Sequence, residues 1–283
     1  MTSSPPDQSG RTVVVTGATS GIGRATARAL AAAGARVVLA VRDTAKGQGV
    51  AAAIAGDTLV RRLDLADLAS IRRFADEWSG PIDVLINNAG VSTARRRTTA
   101  DGVELQFGTN HLGPFALTNL LLPRITGRVV SLASQAERMG RLDLDDLNTE
   151  RTPYRESRVY AASKLAGLLF TAELQRRLTA VGSPVLAVAA HPGFVATGMT
   201  GSATGIAGRL TALLAQSPED GALPVLLAAT GDVPPGAFTG PERFLHMRGG
   251  AQLIGRSRQA RDDALAARLW AASERMSGVV FPL

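Results

Sequence analysis

The chain has 283 residues, 45% of them apolar, which suits one large α/β core. Its net charge of +7 comes from 31 basic and 24 acidic residues, and the arginines are scattered, with Arg95-Arg96-Arg97 the one triplet and no aromatic residues interleaved, a pattern that argues against nucleic acid as a partner. Having no cysteine excludes disulfides and thiolate chemistry, and three dispersed histidines argue against a metal site.

Residues 1–10 are polar, contain Pro5-Pro6 and read as a disordered tail. They lack the apolar run of a signal peptide or anchor, and no uninterrupted apolar stretch of about 18 residues follows, so a soluble, cytoplasmic protein without a membrane partner is expected. Residues 11–16 form a short buried strand around Val13-Val14-Val15, followed by the turn Gly17-Ala18-Thr19-Ser20-Gly21-Ile22-Gly23 and an Ala-rich helix that stops at Gly34. Glycines permit the tight turn and a close approach of backbone. The helix start offers unpaired N–H groups to a pyrophosphate. Gly17, Thr19, Ser20, Gly21, Ile22 and Gly23 are therefore candidate cofactor-binding residues, in a GxxxGxG spacing set between strand and helix as such a site requires.

The second strand, 36–41, ends in Val41-Arg42-Asp43. A ribose-binding carboxylate would stand at this strand end, and an Arg there suits a 2′-phosphate, which predicts NADP(H) over NAD(H). Asp43 leaves ribose binding as the alternative. A helix over 44–54 and a third strand over 59–63 lead to Asp64-Leu65 at a strand end, where Asp64 either accepts from an adenine amine or caps the helix over 67–78. The fourth strand, Val84-Leu85-Ile86, runs into Asn87-Asn88-Ala89-Gly90, whose small residues let backbone come close to an adenosine.

A helical region over 101–122 breaks near Gly113-Pro114. Asn110 stands just before the break, where it either turns its carbonyl to a water or is satisfied structurally. A fifth strand, 127–132, ends at Ser134, and the 25 polar residues before Tyr160 read as loop with at most a short helix. The helix over 158–180 carries Tyr160 and Lys164 on its first turn and Leu165, Leu168, Leu169 and Ala172 on an apolar face. The sixth strand, 185–190, precedes His191-Pro192-Gly193-Phe194-Val195-Ala196-Thr197. Residues 194–218 include an apolar stripe at Ile206, Leu210, Leu213 and Leu214 that suits either a substrate lid or core packing. A helix over 219–229, a short edge strand at 237–239 and a final helix over 259–276 complete a parallel sheet covered on both faces, one domain over 11–283.

Two tyrosines, two lysines and 29 arginines make Tyr160 and Lys164 conspicuous. At i and i+4 on a helix the two side chains share a face, and an ammonium near a phenol favours the phenolate. Tyr160 is thus a candidate general acid/base. A surface aromatic beside a solvated lysine is the alternative.

Thr16-Gly17-x-x-x-Gly21-Ile22-Gly23, Asn87-Asn88-Ala89-Gly90, Asn110, Ser134, Tyr160-x-x-x-Lys164 and Pro192-Gly193 together resemble the short-chain dehydrogenase/reductase family over residues 11–280. Asn110-His111-Leu112-Gly113-Pro114-Phe115, His191-Pro192-Gly193 and the enlarged gap between Ser134 and Tyr160 look like its retinol-dehydrogenase and WW-domain oxidoreductase branch, which is typically NADP-linked. The resemblance implies a single-domain Rossmann-type doubly wound sheet and a homodimer or homotetramer built through helices such as those at 101–122 and 158–180. It also implies that Tyr160 transfers the proton at the substrate oxygen. Lys164 tunes it and binds the nicotinamide ribose, Ser134 hydrogen-bonds the carbonyl or alkoxide, and Asn110 holds a water that connects Lys164 to solvent. Arg42, Asp64, Leu65, Asn88, Ala89, Gly90, Pro192 and Gly193 would line the cofactor, Thr197 would hold its carboxamide, and His191 would be structural. The expected activity is NADP(H)-dependent interconversion of a carbonyl and an alcohol on a small, largely apolar substrate whose pocket is formed by residues 135–158 and 194–218. A regulatory NADP-binding protein, or an isomerase or lyase on the same fold, is the alternative.

Overall fold

Alternation along the strands decides the layering. In β1 (Thr12–Thr16) Val13 and Val15 belong to one core cluster and Val14 to another, all three fully buried, as a strand covered on both faces requires. The computed structural model describes residues 5–195 and 215–283. Within them, β2 (Arg36–Val41), β4 (Ile82–Asn87), β5 (Ile125–Leu132) and β6 (Leu186–Ala190) repeat this two-sided burial, whereas β3 (Thr58–Arg62), at the edge, is half exposed. With β7 (Phe238–Gly240) and β8 (Gln252–Leu253) they form an eight-stranded sheet in the order β3-β2-β1-β4-β5-β6-β7-β8, parallel except for the last pair. The strand expected at 237–239 is therefore not the edge. Gly240 and Thr239 pair with β8, which is two residues long and too short to leave a pattern in the sequence.

Helix α1 (Gly21–Ala32) and α7 (Pro218–Thr230) cover one face of the sheet. Between them in the chain come α2 (Thr44–Ala52), α3 (Leu68–Asp76), α4 (Leu105–Phe107), α5 (Gly113–Leu121) and α6 (Glu156–Ala180), of which α3, α5 and α6 cover the other face. The last helix, α8 (Asp263–Ser277), packs on α6, and Trp270 stacks on Phe170 at 5.8 Å and meets Phe115 edge-on at 4.9 Å. Part of α5 and α6, helices expected to join copies of the chain, is thus covered by the chain's own C-terminal helix.

Several boundaries differ from the expectation for physical reasons. The long helix begins at Leu105, not at 101, because Glu104 caps it through Gln106 N and Phe107 N after a turn closed by Thr99 and Val103. It then passes through a π-helical turn, Gly108–Leu112, before α5. Helix α6 starts two residues early, so Tyr160 lies on its second turn. The last helix starts only at Asp263, after a 3₁₀ turn, where Asp262 caps Leu265 N. Residues 7–10 are no loose tail: Gln8 is buried, and its main-chain N–H donates to Ala33 O at 2.7 Å.

Candidate active site

The strands deliver their carboxyl ends to one edge of the sheet, and the order reverses between β1 and β4, the place where open α/β sheets form a ligand crevice. The loop after β1 is shaped by its contact with the loop after β4. Thr16 Oγ1 accepts from both Asn88 N and Ala89 N at 3.0 Å, and Asn88 Nδ2 donates to Thr16 O at 2.7 Å and to Gly17 O at 3.3 Å. Gly17 has φ +67°, and a Cβ there would lie 2.8 Å from Ala89 Cα. A Cβ on Gly23 would run into the Asn88 amide and come within 2.6 Å of Gly17 O. Gly17 is thus required by conformation as well as by close approach, and Gly23 by close approach alone.

Ser20, the residue before α1, is extended and makes no side-chain cap, so the first N–H groups of α1 keep no side-chain partner there. Thr19 and Ile22 line the same turn, Thr19 half-buried and Ile22 buried. This cradle suits a pyrophosphate by geometry and by the helix dipole. Beyond β2, Arg42 is exposed, while the Asp43 carboxylate is engaged as the cap of α2, accepting from Lys46 N at 3.0 Å. Asp64 caps no helix, since Asp67 does so through Ala69 N and Ser70 N. Asp64 Oδ1 instead accepts from Ala66 N at 3.0 Å, and the neighbouring Leu65 is buried against the Ile71 and Phe74 core.

Lys164 is buried, and its Nζ donates to Leu132 O at 3.2 Å and lies 5.6 Å from the centroid of the Tyr160 ring. The ammonium is therefore held at the end of β5 against the phenol one turn away. Gly90 lies just as close, for a Cβ on it would stand 3.4 Å from Lys164 Nζ and 3.3 Å from Asn110 Oδ1. The Asn110 side chain grips the backbone of Val91 from both sides, Oδ1 accepting from Val91 N at 2.7 Å and Nδ2 donating to Val91 O at 2.9 Å. Nδ2 also donates to Ser163 Oγ at 3.0 Å, and Ser163 Oγ donates to Tyr160 O at 2.7 Å. Every polar atom of the Asn110 side chain thus has a protein partner, and its main-chain carbonyl lies in the π-helical turn just before Pro114, which has no N–H to give it. Ser134 stands at the end of β5, half-buried, its Oγ accepting from Ala136 N at 3.2 Å and keeping its own proton to donate.

After β6, Gly193 has φ +78°, and Gln216 Nε2 donates to Pro192 O at 2.6 Å while Phe194 N donates to Met247 O. His191 is buried and accepts from Gly193 N at 3.4 Å, and burial above all pushes it down to about 4, which keeps it neutral and in a structural role. Thr197 and most of the 194–218 stretch lie outside the described residues. Residues 141–152 close over α6 around Asp146, which accepts from Glu150 N, Arg151 N and Thr152 N. Among the described residues no group of histidine, aspartate and glutamate could hold a metal. Sequence reasoning took Thr16 only as the first residue of the glycine motif, without its role in holding the Asn88-Ala89 backbone, and missed Gln216, which carries no local signal at all.

The described site residues Gly17, Gly21, Gly23, Asn88, Ala89, Gly90, Asn110, Ser134, Tyr160, Lys164, Pro192 and Gly193 all stand at this one edge of the sheet. The short chain dehydrogenase family matches residues 11–205. Retinol dehydrogenase 13 from Homo sapiens is 42% identical over 298 residues, covering 96% of this chain and 86% of its own. A crystal structure of an uncharacterised protein from Mycobacterium Paratuberculosis is 51% identical, with a TM-score of 0.88 over 99% of this chain and 97% of that one. A short chain dehydrogenase from Burkholderia cenocepacia J2315 in complex with NADP is 26% identical, with a TM-score of 0.65 over 81% of this chain and 95% of that one. Matched by family, by fold and by a glycine cradle fit for a nicotinamide dinucleotide, the chain belongs to the short-chain dehydrogenases, oxidoreductases of carbonyl and alcohol groups.

Proposed function

We propose that the protein uses NADP(H) to interconvert a ketone or aldehyde and the corresponding alcohol on a small, largely apolar substrate, with Tyr160 as general acid/base. The observation that carries this reading is the placement of Lys164, buried, anchored on Leu132 O and set against the Tyr160 ring. A cation fixed there stabilises the phenolate that forms whenever Tyr160 gives up its proton. Ser134 donates its hydroxyl proton to the substrate oxygen, so charge developing on that atom meets a hydrogen-bond donor already in place. Lys164 also reaches toward Gly90, where it would bind the nicotinamide ribose, and the Asn110 main-chain carbonyl would hold the water that returns a proton to the pair. The bound nicotinamide supplies the hydride.

Arg42, exposed beside an Asp43 that caps α2, supports NADP(H) in preference to NAD(H). The likeness to retinol dehydrogenase 13 supports an apolar alcohol or aldehyde as substrate. A panel of ketones, aldehydes and alcohols, followed by nicotinamide absorbance, finds the substrate. On that substrate Tyr160→Phe is expected to lower kcat by at least about a thousandfold while leaving the Kd for NADPH within about twofold. Turnover retained in Tyr160→Phe would remove the assignment.

A further inference from the structure

Three consecutive residues beyond the glycine of the β4 loop are each pinned by a side chain from elsewhere. Asn110 holds Val91 by two hydrogen bonds. Ser92 Oγ donates to Glu156 Oε1 at 2.7 Å. Thr93 meets Tyr154, whose hydroxyl donates to Thr93 O at 2.9 Å and lies 3.0 Å from Thr93 Oγ1. The buried Gln106 completes the arrangement by donating to Tyr154 Oη at 2.6 Å.

The second and third pins come from Glu156, the first residue of α6, and from Tyr154, just before its N-cap. That helix lacks what normally holds a first turn, since its N-cap, Arg155, makes no side-chain hydrogen bond. A long helix without a cap frays from its start, and the second turn carries Tyr160. Glu156, Tyr160 and Lys164 stand at i, i+4 and i+8 on one face, and helical side chains lean toward the N-terminus, so the phenol lies over the turn that Glu156 begins.

We propose that Tyr154 and Glu156 are positioning residues for the reaction. By latching the start of α6 to Ser92 and Thr93 they take the place of a helix cap and fix the Tyr160 hydroxyl relative to the cofactor loop Asn88-Ala89-Gly90. The proposal rests on the oxidoreductase reading for its kinetic consequence, but its structural half stands apart from it. The latch is a pair of hydrogen bonds, so it needs an acceptor at 156 and a hydroxyl at 154, not a charge.

The test uses the full-length protein with NADPH and the substrate found in the panel. Glu156→Ala and Tyr154→Phe are expected to lower kcat about 10- to 100-fold with the KM for NADPH within about twofold, as misplacement of one reacting group should. Glu156→Gln, which keeps an oxygen for Ser92, is expected to stay within about threefold of the native kcat. Ser92→Ala cuts the same bond without touching α6 and should match Glu156→Ala, which covers the case in which that variant does not fold. Amide exchange over residues 159–164 should quicken about tenfold or more in Glu156→Ala and Ser92→Ala and stay native in Glu156→Gln. Native kcat in Ser92→Ala and Tyr154→Phe, or a Glu156→Gln as impaired as Glu156→Ala, would overturn the proposal. If the native protein turned over nothing in the panel, the proposed small apolar carbonyl or alcohol substrate would fall, and unchanged exchange in Ser92→Ala would then overturn the latch separately.

Discussion

Arg42 and Asp43 are adjacent but do different work. One oxygen of the Asp43 carboxylate accepts from Lys46 N as the cap of α2, while the guanidinium of Arg42 stands exposed, the side chain that in the proposed reading meets a phosphate. Arg42→Leu is expected to lower kcat/KM with NADPH about 10- to 100-fold and to change that with NADH less than about threefold. Measuring both cofactors side by side checks this, and an unchanged ratio between them would contradict it. Gly17 is a second residue with a measurable consequence. Its positive φ and its contact with Ala89 mean that Gly17→Ala should cost about 1–3 kcal/mol, read as a lower urea midpoint with an unchanged m-value. The glycines and the Tyr160-Lys164 spacing were legible in the sequence because each is a local pattern tied to a single turn. Thr16 meets Asn88 across 72 positions and Gln216 meets Pro192 across 24, and such meetings come from the register of the sheet, which no local spacing encodes.

At the scale of elements, the strand cores and most helices were readable from their apolar period. Misreadings gathered where side chains override propensity. Glu104 postpones a helix, Pro114 and the π turn before it interrupt one, and β8 owes its existence to pairing with β7. Helix α6 also carries a buried carboxylate that its period does not announce. Glu173 accepts from Arg176 Nη2 at 2.6 Å and from Arg176 Nε and Arg177 Nε at 2.8 Å. Burial acts to raise its pKa, but the hydrogen bonds and charges of the two arginines outweigh burial and lower it below the ordinary value. Since the folded value lies below the unfolded one, this carboxylate contributes stability above about pH 4.3 and loses it as pH falls through the folded value. Glu173→Gln should therefore cost about 1–3 kcal/mol near neutral pH, a figure reduced for the exposure of Arg176, and the deficit against the native protein should shrink as the pH falls below 4. Paired urea titrations at pH 7 and pH 3 measure it. A deficit equal at both values would show that shape, not charge, is what Glu173 supplies.

The whole molecule closes on itself through α8. Trp270, Phe115, Phe170 and Phe281 form one aromatic cluster over α5 and α6, and the homodimer or homotetramer is retained as a proposal. His111 sits in the same cluster, within 5.0 Å of Phe107 and 6.2 Å of Phe170 by ring centroids, and burial pushes it down to about 3. Its tautomer follows from Ser273, whose Oγ donates to Leu269 O and so accepts from His111 Nε2 at 2.8 Å, leaving the proton on Nε2 and Nδ1 bare. His111 and His191 are thus neutral in the fold, while in the unfolded chain each binds a proton below about pH 6.5. The unfolded state then holds more protons, so stability is complete above about pH 6.5 and falls with acidification, by up to about 1.4 kcal/mol per pH unit for each imidazole, toward pH 4. His111→Phe keeps the aromatic contacts and leaves Ser273 bonded to Leu269 O. The native unfolding free energy should drop steeply between pH 6.5 and pH 4.5, and that of His111→Phe should drop about half as steeply. Parallel slopes for the two proteins would mean that His111 is protonated within the fold, and that the aromatic cluster opens to water more readily than its packing implies.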